Sequence, residues 1–245
     1  MDNALYTALS GATRSMETQR VYANNLANMS TPGFRADYLN AMAQTVPGEG
    51  FDTRVQSRIG EQWTDMAGGP LNRTDQPLDL AIEGEGWFSV QDANGEEAYT
   101  RAGSLRVDGE GVLRTASGLV VVSDAGPAML PPFDRVEVGS DGRIWVKLEG
   151  AAESELAEVS FLKLVNPPAD QLSKGEDGLF RLPDGEEALI DPEVTVVSGY
   201  LEGSNVNAVK EMVSFINLSR NFEMQLKVMR SVETVAEAGD KLLRA

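Results

Sequence analysis

Between Asn3 and Asn28 the chain has no proline and a single glycine. Apolar residues recur at Leu5, Leu9, Ala12, Met16, Ala23 and Leu26, in alternating steps of four and three once Gln19 fills the gap. That spacing predicts a helix with a heptad seam, the pattern of a helix that packs lengthwise on a partner. At the rise of an α-helix it is about 39 Å long, and its small seam residues allow close approach. The pattern returns from Asn205 to Leu243 at Met212, Phe215, Ser219, Phe222, Leu226, Met229 and Ala236, broken at Glu233. Val209, Val213, Ile216, Val228, Val232 and Val235 widen the apolar face. Gly203-Ser204-Asn205 offers capping side chains at its start. Two long amphipathic helices thus stand at opposite ends of the chain, each with a stripe that must be covered.

Between them the pattern changes to short strands and turns. Trp87–Gln91 reads as a strand, Asn94-Gly95 as a type I′ hairpin turn, and Ala98–Arg101 as the returning strand. Leu105–Val107 and Val112–Thr115 flank Asp108-Gly109, and Val136–Val138 and Ile144–Val146 flank Asp141-Gly142. Glu158–Val165 and Val194–Gly199 add two more strands. Turn signals at this spacing predict an antiparallel β-domain. Residues 36–75 have little period and carry Gly48, Gly50, Gly60, Gly68, Gly69 and Pro70, so an extended connector with irregular pairing is expected there.

Charge follows the same division. Residues 1–35 and 203–245 each sum to +1; removing both from the total of −17 leaves −19 on residues 36–202. Nearly neutral ends pack without like-charge repulsion, and an acidic middle repels nucleic acid. The chain has no cysteine and no histidine. Thiolate nucleophiles, imidazole bases and Cys/His zinc sites are therefore excluded. Gly84-Glu85-Gly86 is too short for a dinucleotide fingerprint, and Asp92–Glu96 fails the calcium-loop template. No cofactor is expected. The longest aliphatic run is Leu119–Val122, far short of the ~20 residues of a membrane span, and no basic-then-apolar leader opens the chain. Neither membrane insertion nor a cleaved signal peptide is expected. Paired carboxylates remain available among 38 acids, though most flank turns, as at Asp108-Gly109-Glu110.

Asn24–Phe34, NNLANMSTPGF, is the most informative stretch. Asn28 and Ser30 end the helix through local bonds to the backbone, and Thr31 is pushed out of the helical region by Pro32. Pro32-Gly33 then forms the centre of a type II turn, Gly33 supplying the positive φ. As a string this stretch resembles the N-terminal signature of the flagellar rod and hook family of axial proteins, and MDNALYTALSGA resembles the start of its proximal-rod type. Pro77–Phe88, Tyr99–Leu105 and Leu201–Met224 resemble further family segments, with Phe222–Gln225 and Asp177–Arg181 favouring the proximal-rod type. The likeness runs from residue 1 to about 230 and is weak over 36–75 and 123–170.

The resemblance implies an α+β fold. Residues 1–35 and 201–245 supply terminal helices that pair as a coiled-coil-like inner domain around a channel. Residues 36–75 connect, and residues 76–200 form a β-rich outer domain. It implies a structural subunit, not an enzyme, of the basal-body rod, a hollow shaft that transmits torque and conducts export substrates. Expected partners are other copies, proximal and distal rod proteins such as the FlgC and FlgG types, and the flagellar type III export apparatus, with assembly in the periplasm. Contacts are expected at the seams and the turn: Leu5, Leu9, Met16, Leu26, Asn25, Asn28, Pro32, Gly33, Phe34, Met212, Phe215, Phe222, Leu226 and Met229. A distal-rod or hook-type subunit and a carboxylate-based cell-wall hydrolase are the alternatives.

Overall fold

The computed structural model describes residues 2–45, 55–150 and 155–243. Helix α1 (Asp2–Ala27) and helix α2 (Ala208–Leu243) flank a run of strands in the sequence: β1 (Asp37–Thr45), β2 (Val55–Thr64), β3 (Leu71–Arg73), β4 (Leu80–Glu83), β5 (Trp87–Gln91), β6 (Glu97–Thr100) and further strands to Glu202. The architecture is α+β, with terminal helices and an antiparallel β-rich centre. The described residues fall into two compact units: one holds those of 1–29, 36–65 and 206–245, the other 30–35 and 66–205. The chain therefore crosses between units four times.

In the first unit α1 packs on α2 and on the β1–β2 hairpin. Asn25 meets Glu211, and a Cβ on Gly11 would meet the side chain of Gln225, so the helices run antiparallel. Helix α1 ends as its sequence predicts: Asn28 Nδ2 donates to Asn24 O at 3.0 Å. Helix α2 is capped by Asn207, whose Oδ1 accepts from Lys210 N at 3.0 Å, and not by Gly203-Ser204-Asn205.

Residues 36–75, expected to be an extended connector with irregular pairing, hold the two longest described strands, paired from Asp37↔Thr64 to Thr45↔Val55 with a bulge between Leu39 and Ala41. Their pattern is hidden because Met42, Val55 and Trp63 are exposed. The hairpin is fixed by packing: Tyr38 sits 5.1 Å from Trp63 and 6.2 Å from Tyr22, ring centre to ring centre.

The second unit is built around β5, which pairs with β6, with Val120–Ser123 and with Leu164–Val165. Alternation along β5 feeds two cores. Phe88 and Val90 enter a large cluster with Leu80, Leu105, Leu113, Ile144 and Leu162. Trp87 joins Tyr99, Val165, Phe180 and Ala188 on the other side. A separate three-stranded sheet holds Phe133–Val138, Arg143–Leu148 and Ala157–Phe161, while β4 pairs with Thr195–Ser198 and β3 with Tyr200–Glu202. The β5–β6 turn is not type I′. Only Gly95 takes positive φ, at +85°, and among the described residues Asp75 is the one non-glycine that does. Gly95 N donates to Asp92 O, and Asp92 Oδ1 accepts from Asn94 N and Glu96 N. The aspartate holds a type I turn, so Asn94 never needs the left-handed region.

Leu113 is fully buried at the centre of the larger cluster. Leu113→Ala is expected to destabilise the β-rich unit by about 2–5 kcal/mol, measured by chemical denaturation followed through tryptophan fluorescence.

Candidate functional site

Three features stand out: a buried polar node in the first unit, a buried charge cluster in the second, and an apolar surface on the helix pair.

The node centres on Glu211, fully buried in the first turn of α2. Asn25 Nδ2 donates to Glu211 Oε2 at 3.2 Å and to Asp37 O at 2.8 Å, and Asn25 Oδ1 accepts from Asp37 N at 3.0 Å. Tyr38 Oη donates to Glu211 Oε1 at 3.2 Å, and Thr64 Oγ1 to Asp37 Oδ1 at 2.6 Å. One asparagine amide thus ties α1, β1 and α2 together. Burial, then the charge and hydrogen bond of Glu211, push the Tyr38 phenol up to about 12.

The cluster joins three distant segments. Glu202 accepts from Arg35 Nη2 at 2.6 Å and from Arg101 Nη1 at 3.2 Å, and all three side chains are buried. Trp87 lies 5.9 Å from the Arg35 guanidinium and 5.3 Å from that of Arg101. Two positive groups share one carboxylate, and the indole faces take part of the excess. Gly69 N also donates to Glu202 Oε1 at 2.9 Å, and Arg101 Nη2 to Gly84 O at 2.7 Å. The turn before Arg35 docks here too. Gly33 has φ +69° and its N–H donates to Glu202 O at 2.8 Å; Phe34 N donates to Thr31 O at 3.3 Å. A Cβ on Gly33 would stand 2.4 Å from the Arg101 carbonyl carbon, so glycine is required by space as well as by φ. Lys174 Nζ donates to Arg35 O at 2.7 Å and lies 4.1 Å from the centre of the Phe34 ring.

The surface is set by what the pairing leaves bare. Leu5, Tyr6, Leu9 and Met16 of α1 are exposed, as are Val209, Met212, Val213, Ile216, Met224, Val228 and Val235 of α2. Asn25 is buried; Leu26, Asn28, Phe215, Phe222, Leu226 and Met229 are half-buried. Pro32 and Phe34 are half-buried and Gly33 buried, all three in the other unit. The expected contact residues are therefore divided among a hydrogen-bonding node, a turn and an apolar surface. Sequence reasoning passed over Glu202, Glu211, Arg35 and Arg101. No local pattern marks them: Glu211 follows Lys210 and reads as one half of an ordinary surface charge pair.

Among the described residues no group of three acidic, histidine or cysteine side chains could hold a metal ion. A cavity of about 650 Å³ in the β-rich unit is lined in part by Glu97, Lys163 and Glu187. Glu97 there is already paired with Lys163 at 2.7 Å.

Three family models match the chain: "Flagella basal body rod protein" over residues 5–35, "Flagellar hook protein FlgE/F/G D1 domain" over 81–146, and "Flagellar basal body rod FlgEFG protein C-terminal" over 197–242. The flagellar basal-body rod protein FlgF of Escherichia coli K12 is 42% identical over 99% of both chains, and that of Salmonella typhimurium LT2 40% over 99% of both. The flagellar basal-body rod protein FlgG of Agrobacterium fabrum C58 is 29% identical, over 98% of this chain and 99% of its own.

Glu202→Gln is expected to cost about 3–5 kcal/mol in the β-rich unit, because two buried guanidinium groups lose their counter-charge. Replacing Arg35, Arg101 and Glu202 together by methionines is expected to be much milder, and denaturant midpoints of the two variants make the comparison. A second expectation concerns alkaline pH. Burial also lifts Tyr99 to about 12, seconded by the charge of Glu97 and opposed by a hydrogen bond from Ala188 N. A phenol whose folded pKa is raised gives stability that is present below pH ~10 and lost as pH rises toward about 12. Tyrosinate absorbance should show a late step near 12 that shrinks in Tyr38→Phe and in Tyr99→Phe.

Proposed function

This chain belongs to the flagellar basal-body rod protein family, and from that premise we propose that it is a structural subunit of the proximal rod whose terminal helices make the subunit contacts. The observation that carries the reading is the apolar surface left bare by the folded helix pair. A lone chain gains nothing by exposing Leu9, Met16, Val213 and Ile216 together; a polymer whose neighbours cover them does. The proximal-rod assignment is supported by identity: 40–42% to FlgF proteins against 29% to a FlgG, over nearly the full length in each case.

In this reading α1 and α2 pair as an antiparallel coiled coil, and the seams Leu5, Leu9, Met16 and Leu26, with Met212, Phe215, Phe222, Leu226 and Met229, divide between that pairing and contacts with neighbours. Asn25 and Asn28 finish α1, and Pro32, Gly33 and Phe34 seat the turn. The neighbours are other copies and other axial proteins of the FlgC and FlgG types, together enclosing a channel. The chain reaches the periplasm through the flagellar type III export apparatus, without a cleaved signal. Its role is mechanical, transmitting torque without catalysis; the family relationship supports this.

Leu9→Asp and Met16→Asp test the surface. Both positions are exposed in the single chain, so unfolding should move by no more than ~0.5 kcal/mol. At a subunit contact the same carboxylate is buried without a partner, at a cost of several kcal/mol. In cells carrying only the variant gene, no rod and no swimming are expected. Glu223→Lys, at an exposed charged position, should assemble. Normal rods from both aspartate variants would show that this face is not the contact.

A further inference from the structure

Two contacts tie α1 to α2, and they are equally spaced. Asn25 meets Glu211, and Gly11 meets Gln225; the members lie fourteen residues apart on each helix, two heptads. We propose that Gly11–Gln225 and Asn25–Glu211 form a two-point lock that sets the sliding register of the antiparallel helix pair.

Each point fits one register. The Gln225 amide lies over Gly11: a Cβ there would stand 2.7 Å from Nε2 and 3.1 Å from Cδ and would push the end of that side chain aside. Glu211 finds its donors only where Asn25 and Tyr38 stand. A slip of one turn puts Asn221 or Met229 opposite Gly11 and takes Glu211 away from Asn25. On the stripe that carries Gly11 and Asn25, Ala8, Ser15 and Thr18 are small and half-buried or buried, and the larger Tyr22 packs edge-on against Tyr38 of β1. The small residues fill little space, so that stretch of the stripe sets the register weakly. Each point also costs stability. A mid-helix glycine weakens α1, the Glu211 carboxylate is buried among neutral donors, and Gln225 Oε1 is buried without a hydrogen bond. Polar groups that cost stability yet exclude alternative registers are specificity elements. The register matters because it aligns the exposed stripe of α1 with that of α2; that consequence rests on the rod reading, and the lock itself does not.

The chain has no cysteine, so an introduced pair reports register without background. Equal spacing places Thr18 opposite Leu218, midway between the two points. In the isolated chain, Thr18→Cys/Leu218→Cys is expected to form a disulfide on mild oxidation. Thr18→Cys with Ser214→Cys or Phe222→Cys, one turn to either side, is not. Adding Glu211→Leu and Gln225→Leu should keep the helical circular dichroism while the slipped pairs begin to crosslink. Should that variant fail to fold, Gly11→Ala serves instead. It raises helix propensity, closes the notch to Gln225, and should also let slipped pairs form. A crosslink that stays exclusive to 18/218 in a folded variant of either kind overturns the proposal. The readout needs no rod, so it stands or falls apart from the assembly test.

Discussion

Each unit is held by one buried carboxylate that joins the beginning of the chain to its end. Glu202 gathers Arg35, Arg101 and the Gly69 amide; Glu211 gathers Asn25 and Tyr38. A charge placed out of water leaves its partners little freedom, because an unmet buried charge costs far more than an unmet apolar contact. Residues near 25–38 are thereby fixed against residues near 202–211, more than 160 positions away in sequence. The two glutamates stand on either side of the last crossing between the units.

The two cases solve the burial problem differently. Around Glu202 there is an excess of positive charge, and both guanidinium groups lie over the Trp87 ring. Around Glu211 the nearest donors are an amide and a phenol, and burial first, with the charge of Glu211 next, pushes the Tyr38 phenol up. Ion pairs at depth add little net stability but penalise every arrangement that separates them. That property suits a helix pair whose α1 stripe is small-sided from Ala8 to Thr18. The pairing also leaves large apolar side chains of both helices exposed.

Much of the architecture was legible in the sequence. The four–three spacing marked both helices, and the alternation of Trp87–Gln91 with its flanking turn marked the centre of the sheet. The Pro32-Gly33 turn was legible because its demands are local: a proline before a residue with positive φ. The β1–β2 hairpin was not. Its strands show little alternation because several apolar residues stay exposed, and Tyr22, Tyr38 and Trp63 find one another only in three dimensions. The Asn94-Gly95 turn was misread because Asp92, two residues earlier, supplies the hydrogen bonds that choose the turn type.

The sequence by itself determined both terminal helices, several strands of the β-rich unit, the family and the presence of two apolar stripes, since each depends on residues close together along the chain. The tertiary structure decided which face of each helix is spent within the chain. Heptad spacing identifies a stripe of apolar residues without saying what covers it. The contacts at Gly11 and Asn25 lie one position before Ala12 and Leu26 of the expected seam, turning Leu5, Leu9 and Met16 toward solvent. The roles of Glu202 and Glu211 were decided there as well. An isolated acid in a sequence reads as a solvated charge until folding brings a distant guanidinium or amide to within 3.2 Å.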